Sequence, residues 1–254
     1  MRRHPLIAAA AAVLMPVGCL LLPDDLPLLG LCVTALPALS AIAVVARAVY
    51  LEAATRRYLR RLVTAEAPPA LAASIARTGA GPVRYVVSGH PAAFCAAALR
   101  PAIHVTEGLV ERLRPGELDA VLIHEQHHVR RREPLRRLIW NALAAVFFYV
   151  PLVPWWARHR AELAELAADR TAILQRGSAA LAGAVWVVGS GGAPRGAVAF
   201  GDATEARVSQ LLGEQLPKRR PGARLCVLSG AGLTLAAAFV VCLFQSEHVL
   251  VPTF

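Results

Sequence analysis

Charged residues are scarce in this chain of 254 residues. They make up 17% of it, against about 25% in average soluble proteins. Apolar residues are correspondingly frequent, at 56%, where soluble chains have about 45–50%. Both departures indicate membrane-spanning segments, and they argue against a fully soluble enzyme and against a disordered chain.

Lysine is almost absent, since Lys218 is the only one, and the net charge of +10 comes from arginine. This charge fits a membrane protein whose basic segments face the cytoplasm. Nucleic-acid binding is not supported, because the chain has no basic stretch interleaved with aromatic residues and no zinc-finger spacing. We therefore expect no direct contact with nucleic acid.

The cysteines are few and their number is odd, and no C-x-x-C pair occurs. These features exclude a disulfide framework and a cysteine metal site. We expect small buried hydrophobic side chains instead. The five are Cys19, Cys32, Cys95, Cys226 and Cys242.

Three uncharged stretches are long enough to cross a bilayer, which takes about 20 residues. They lie at 5–22, 26–46 and 225–246. For the first stretch, a cleaved signal peptide with a lipoprotein-like Val17-Gly18-Cys19 is the alternative. The second stretch follows at once, which favours an uncleaved hairpin.

Arginines precede the first stretch and follow the second, and basic residues also precede the third, whereas the turn at 23–25 is acidic. The positive-inside rule then predicts a protein of the cell membrane whose N-terminus lies on the cytoplasmic side. We predict a mainly α, multi-pass membrane protein with three transmembrane helices around a cytoplasmic α+β domain. The segments are a transmembrane hairpin (1–46), the cytoplasmic domain (47–224), a transmembrane helix (225–246) and an external tail (247–254).

A fourth uncharged run lies at 138–157 and is flanked by arginines on both sides. Pro151 and Pro154 interrupt its second half, and proline breaks helical hydrogen bonding. We predict an apolar helix followed by a turn, buried in the domain or lying at the inner membrane face, rather than a crossing.

The motif His124-Glu125-Gln126-His127-His128 is an H-E-x-x-H sequence. On a helix, residues four apart share a face, so His124 and His128 can bind one zinc ion, with Glu125 beside them as the catalytic base. Leu118, Val121, Leu122 and Val129 recur at helical spacing as a core face. His127 points elsewhere, and we predict that it is a solvated surface histidine.

A catalytic zinc site takes three protein ligands and leaves one position open. The third ligand is expected in an Ala/Leu-rich helix at 161–169, where Glu165 and Asp169 share a face. Glu165 can bind the metal, while Asp169 can accept a hydrogen bond from a ligand histidine. Glu162 is the alternative ligand. All ligands must lie on one side of the membrane, so either 138–157 is not a single crossing or these residues are not the site.

The chain resembles the BlaR/MecR-type membrane metallopeptidases. The resemblance spans roughly residues 80–212 and is carried by the following sequence elements: Ala93-Phe94-Cys95, Leu99-Arg100-Pro101-Ala102-Ile103-His104-Val105-Thr106-Glu107-Gly108-Leu109, Glu117 to Glu125, Glu165-Leu166-Ala167-Ala168-Asp169, and Glu205-Ala206-Arg207-Val208 with Leu211-Leu212.

The resemblance implies a gluzincin-like cytoplasmic domain in which His124, His128 and Glu165 bind zinc, Glu125 is the base and Asp169 supports a ligand. It also implies cleavage of a DNA-binding repressor, or of the protease itself, during signalling. Well-known members carry an extracellular penicillin-binding sensor after the last span, whereas only 247–254 follow here. Two alternatives are a quality-control protease of the HtpX/Ste24 type and a non-enzymatic scaffold.

Two strand-like runs, 83–87 and 102–106, precede the motif helix. By analogy with this class, we expect an extended substrate to add to such a strand edge. His104 would then be near the cleft or, as we expect, half-buried in its strand. His159 and Tyr149 are alternative stabilisers of the oxyanion.

Overall fold

The computed structural model describes residues 26–190, 204–214 and 219–249. This part of the chain is mostly helical and contains one small sheet. The predicted combination of many helices with an α+β region is therefore confirmed. The predicted division into domains and the three-span arrangement stay predictions.

The described helices and strands are as follows, in chain order. The helices are α1 (Leu26–Leu59), α2 (Pro69–Thr78), α3 (Glu107–Arg112), α4 (Pro115–Arg130), α5 (Glu133–Val146), α6 (Leu152–Arg176), α7 (Ser178–Ser190), α8 (Thr204–Leu211) and α9 (Ala223–Val249). The strands are β1 (Thr64–Ala65), β2 (Val83–Val86), β3 (Ala93–Ala96) and β4 (Ala102–Thr106).

The four strands form one sheet in the order β1-β2-β4-β3. Strands β2 and β4 are parallel, with Val83 opposite Ile103, whereas β3 and β4 form an antiparallel hairpin with Phe94 opposite His104. The two predicted strands are therefore present, but both lie inside the sheet. Its edges are β1 and β3, which the sequence analysis did not identify as strands.

The described residues fall into two compact units. The helical unit comprises 26–48, Trp140–Ala157 and 219–249. The sheet-containing unit comprises 49–139, 158–190 and 204–214. The second unit holds the H-E-x-x-H motif and its predicted partners.

The core of the sheet-containing unit lies between β4 and helices α2, α3, α4 and α7. Its largest side chains are almost completely buried, and burying each one fully contributes about 1.5–3 kcal/mol. They are Leu71, Ile103, Val105, Leu109, Leu118 and Leu122. This packing holds one face of α4 against the sheet.

Helix α4 has the start that the sequence predicts. Pro115 occupies its first turn, where proline loses no helical hydrogen bond. The backbone N–H of Arg114, the residue before the helix, donates to Glu117 Oε2 at 2.8 Å and is thereby satisfied. Leu118, Val121 and Leu122 are buried, as their spacing predicts.

The run 138–157 forms a helix, a turn and the start of a second helix. Helix α5 already begins at Glu133, and α6 begins at Leu152. The prediction that Pro154 interrupts a helix is wrong, because Pro154 lies in the first turn of α6, where proline is tolerated. Trp140–Ala157 belongs to the helical unit rather than to the sheet-containing one. Its turn packs against α9, where Ser229 Oγ accepts a hydrogen bond from Leu152 N at 2.9 Å.

One helical segment of the described residues, Pro37–Leu59, is long and apolar enough to cross a membrane by length and composition. It lies in α1, which also contains the predicted span 26–46. In α9 the apolar stretch Ala223–Phe239 is shorter than a span. The predicted span 5–22 lies outside the described residues.

Candidate metal centre

Three potential metal ligands meet where α4 faces α6. His124, His128 and Glu165 each offer one donor atom, and these atoms lie within 4.8 Å of one another. The Nε2 atoms of His124 and His128 are 3.1 Å apart. Glu165 Oε2 lies 3.4 Å from the His124 nitrogen, and Glu165 Oε1 lies 3.6 Å from the His128 nitrogen.

These separations suit a single zinc ion. Ligand atoms about 2.0–2.1 Å from a tetrahedral zinc ion are roughly 3.3 Å from one another. The three measured separations lie close to that value. Two imidazoles with one carboxylate are also a ligand set typical of catalytic zinc. The residues present therefore fit the metal that the sequence predicts.

Asp169 orients His124 from behind. Its Oδ1 lies 2.8 Å from His124 Nδ1, so the Nδ1 proton is held there and Nε2 faces Glu165. Arg207 in turn holds Asp169 through two hydrogen bonds, Nε to Oδ2 at 2.6 Å and Nη2 to Oδ1 at 2.7 Å. The buried chain Arg207–Asp169–His124 thus links α8 to the motif helix.

The carboxylates change the proton affinities of this cluster. Burial lowers the pKa of His124, but hydrogen bonds with Asp169 and Glu165 outweigh it and raise that pKa to about 9. Burial would raise the pKa of Glu165, but His124 holds it well below its usual range. A metal needs a neutral His124, so its binding would release this proton.

Burial is the main cause of the pKa shifts of His128 and Glu125. Burial and the charge of His124 lower the pKa of His128 to about 3, so the imidazole is neutral and suited to ligation. Burial raises the pKa of Glu125 to about 6, although the charge of His124 opposes this. Glu125 is only 4% exposed, and a carboxylate of raised pKa in such a site is suited to exchange protons.

Arg137 also reaches the cluster, although its sequence context indicates only a position in a basic flank. Its Nη2 donates to Glu165 Oε1 across 28 residues of chain. Residues from the two flanks of 138–157 therefore contact each other. Arg207 is the second missed residue, since it was noted only within the closing segment 205–208.

The alternatives to these residues have other described contacts. Glu162 lies outside the group of three ligands, with its Oε2 3.9 Å from His159 Nδ1. Tyr149 belongs to the helical unit, and its ring contacts are with Phe147 and Phe148. The roles of His159 and Tyr149 in stabilising the oxyanion stay predictions.

Two histidine predictions need correction. His127 is not solvated: it is half-buried, and its Nδ1 lies 3.0 Å from Thr171 Oγ1. His104 is almost fully buried rather than half-buried, and its ring stacks on Phe94 with centroids 5.0 Å apart. Contacts from α6 and β3 cover these rings, and such contacts are not visible in local sequence.

Among the described strands, β3 is the sheet edge that lies next to the motif helix. The two predicted substrate strands have partners on both sides, so neither offers an edge. Strand β3 lies next to α4, and burial together with the charge of Glu125 raises the pKa of Cys95 in this strand. An extended peptide paired with β3 would therefore pass close to Glu125.

The family model described as BlaR1 peptidase M56 matches residues 31–179, which include most of α1, the sheet, the motif helix and Glu165. The chain belongs to the M56 peptidase family. The resemblance noted from the sequence is thereby confirmed. The matched residues begin earlier than that resemblance and end before α8, the helix that carries Arg207.

A curated relative is similar over a shorter stretch. The protein described as Protease HtpX homolog 2 from Methanosarcina mazei is 41% identical over 51 residues. The match covers 20% of this chain and 17% of that protein, so it spans less than a fifth of the relative's length. Together with the M56 match, it supports a membrane metallopeptidase.

Proposed function

We propose that this chain is a membrane-embedded zinc endopeptidase that cleaves a cytoplasmic protein, a transcriptional repressor or itself, in response to a signal. The observation that carries the proposal is the spacing of the His124, His128 and Glu165 donor atoms, at zinc-ligand distances on the helix that also carries buried Glu125. Membership of a peptidase family supports the same conclusion.

His124, His128 and Glu165 would hold a zinc ion, which would supply a Lewis acid to polarise the scissile carbonyl and to make water more acidic. Glu125 takes a proton from the attacking water as the new C–O bond forms, and it passes the proton to the leaving amine as the C–N bond breaks. Asp169 keeps His124 in the ligating tautomer. The burial of Glu125 raises its pKa, which makes its carboxylate a stronger base towards the attacking water.

The substrate in this proposal is an extended segment of a protein. It binds as an added strand on β3, whose residues are partly exposed and which has β4 on one side only. Backbone pairing of this kind holds a peptide with little dependence on its side chains. The choice between a repressor, the protease itself and other proteins then depends on which extended segment reaches the site.

The first test is zinc content of the full-length protein in detergent, compared between wild type, Glu165→Gln and Glu162→Gln. We expect near-stoichiometric zinc in wild type and in Glu162→Gln, and its loss in Glu165→Gln. Glu162 is the matched control because it is a carboxylate one turn away on α6. A folded wild-type protein without zinc would refute the proposal.

The second test separates a protease from a scaffold. We expect Glu125→Gln to retain zinc and to lose cleavage, measured as self-cleavage on gels and as digestion of β-casein, an unfolded protein. The loss follows because glutamine cannot accept the water proton. Cleavage at the wild-type rate in this variant would exclude Glu125 as the base.

A quality-control role is the second candidate, and the stretch similar to the HtpX homologue favours it. A regulatory protease should cut one native protein at one position, whereas a quality-control protease should digest many misfolded membrane proteins. A neighbouring gene for a small winged-helix repressor would favour the regulatory role. We place the catalytic residues on the cytoplasmic side, as the distribution of arginine indicates.

A further inference from the structure

Two arginines approach Glu165, and they differ in what they can still contact. Arg207 lies 3.9 Å from Glu165 Oε2 through Nη1, but its main partner is Asp169. The Arg207 side chain is 2% exposed and the Asp169 side chain 1%. Arg207 is therefore enclosed behind the ligands, where a substrate cannot reach it.

Arg137 has a different environment. It projects from α5, its side chain is 23% exposed, and it contacts Glu165 Oε1 through Nη2 alone. A guanidinium group has five N–H donors in a planar fork. Within the part of the chain that the structure describes, Glu165 is the one hydrogen-bond partner of this side chain. The remaining N–H groups can therefore turn to a molecule that enters from solvent.

We propose that Arg137 is a catalytic residue that donates hydrogen bonds to the carbonyl oxygen of the scissile peptide and stabilises the negative charge that develops there. This inference rests on the proposed peptidase function and names the group that stabilises the oxyanion. Glu165 holds the guanidinium in place beside the ligand group. The Nη2 group of Arg137 contacts Glu165, and its remaining N–H groups contact the substrate carbonyl in this proposal.

The physical reason is the charge that hydrolysis creates. When water attacks the carbonyl carbon, the carbonyl oxygen becomes an anion. A fixed cation in a site of low dielectric stabilises that anion strongly. The charge of Arg137 acts on Glu125, Glu165 and His128, so it lies among the reacting groups. A permanently charged guanidinium can do this at any physiological pH.

The proposal also predicts how zinc binding responds. The cation beside Glu165 repels a divalent ion, so removal of Arg137 should leave zinc affinity equal to that of wild type or higher. A residue that served only to hold Glu165 in place would behave in the opposite way. Without it, Glu165 would lose its orientation and zinc would bind more weakly. Zinc affinity therefore separates a catalytic role from a structural one.

The experiment uses full-length protein in detergent with four forms: wild type, Arg137→Gln, Arg137→Lys and Arg136→Gln. Arg136 is the matched control, since it is the neighbouring arginine, 48% exposed and paired with Glu133 on its own helix. Two quantities are measured: zinc affinity by competition with a chelator, and the dissociation constant of phosphoramidon. This peptide phosphoramidate has a tetrahedral anionic phosphorus that imitates the reaction intermediate.

We expect Arg137→Gln to keep zinc and to bind phosphoramidon about 100-fold more weakly, the loss typical of one missing oxyanion donor. Arg137→Lys should recover part of the affinity, because a lysine supplies the charge without the planar fork. Arg136→Gln should bind both zinc and phosphoramidon as wild type does.

Two results would overturn the inference while leaving the proposed function intact. One is phosphoramidon binding in Arg137→Gln within threefold of wild type. The other is loss of zinc in Arg137→Gln, which would make the residue a structural support for Glu165. If wild type itself shows no zinc-dependent binding of phosphoramidon, both this inference and the proposed peptidase function are refuted.

Discussion

Arg207→Met tests whether α8 supports the metal centre through buried charge. Arg207 and Asp169 are joined by two hydrogen bonds of 2.6 and 2.7 Å, and both side chains are almost inaccessible to solvent. Methionine fills much of the same volume but carries no charge. The variant therefore leaves Asp169 buried with His124 as its remaining close partner.

The expected loss of folding stability is large because the charge of Asp169 remains buried without Arg207. Removing one partner of a buried ion pair costs about 3–5 kcal/mol. The 2.8 Å contact between Asp169 and His124 survives, which places the loss near the lower end, at about 3 kcal/mol. Zinc affinity should also fall by about 10–100-fold, since Asp169 loses the group that fixes its orientation.

The assay is urea unfolding of the full-length chain in detergent, followed by tryptophan fluorescence, with zinc affinity measured in parallel. Arg170→Met is the matched control, because Arg170 is exposed on α6 one residue after Asp169. We expect the control to unfold as wild type does. If Arg207→Met changed stability by less than about 0.5 kcal/mol, the range of ordinary surface substitutions, and left zinc affinity unchanged, the linkage from α8 to His124 would be refuted.

Two further predictions concern an ion pair and a close backbone contact away from the metal ligands. Burial tends to raise the pKa of Asp119, but hydrogen bonds led by Arg77 lower it below its ordinary value, so its stabilising effect is present above about pH 4 and is lost as pH falls further. Asp119→Asn should destabilise the chain at pH 7 by about 1–2 kcal/mol, a modest loss because the partner Arg77 is 43% exposed. In urea titrations, the variant should lose less stability than wild type between pH 5 and 3. Equal acid sensitivity of the two proteins would contradict this. Gly108→Ala would push a Cβ into the carbonyl oxygen of Gly89 and should cost about 1–3 kcal/mol, whereas Gly116→Ala meets open space and should be neutral; equal unfolding midpoints would refute the steric argument.

The motif helix could be predicted because its signals are local. Pro115 starts it, and the apolar side chains at helical spacing select its buried face. The interval of four residues between His124 and His128 then directs both imidazoles to one point, 3.1 Å apart. None of these features requires knowledge of another part of the chain.

Glu165 was a harder prediction, since sequence spacing alone left Glu162 open. Both carboxylates lie on α6, and one turn separates them. The structure brings Glu165, and not Glu162, to the two histidines, and Arg137 of α5 contacts the Glu165 carboxylate. The roles of these residues in binding zinc and in catalysis remain proposals.

The sequence by itself determined what depends on neighbours along the chain: the family, the motif helix, the strands β2 and β4 and the turn within 138–157. Only the tertiary structure decided which strand is an edge, which histidines are covered, and which arginines face the carboxylates. In sequence Arg137 is one of several arginines that flank an apolar run. Its contact with Glu165 joins residues 28 apart, and the strength of a charge depends on the burial and the partners that such contacts create.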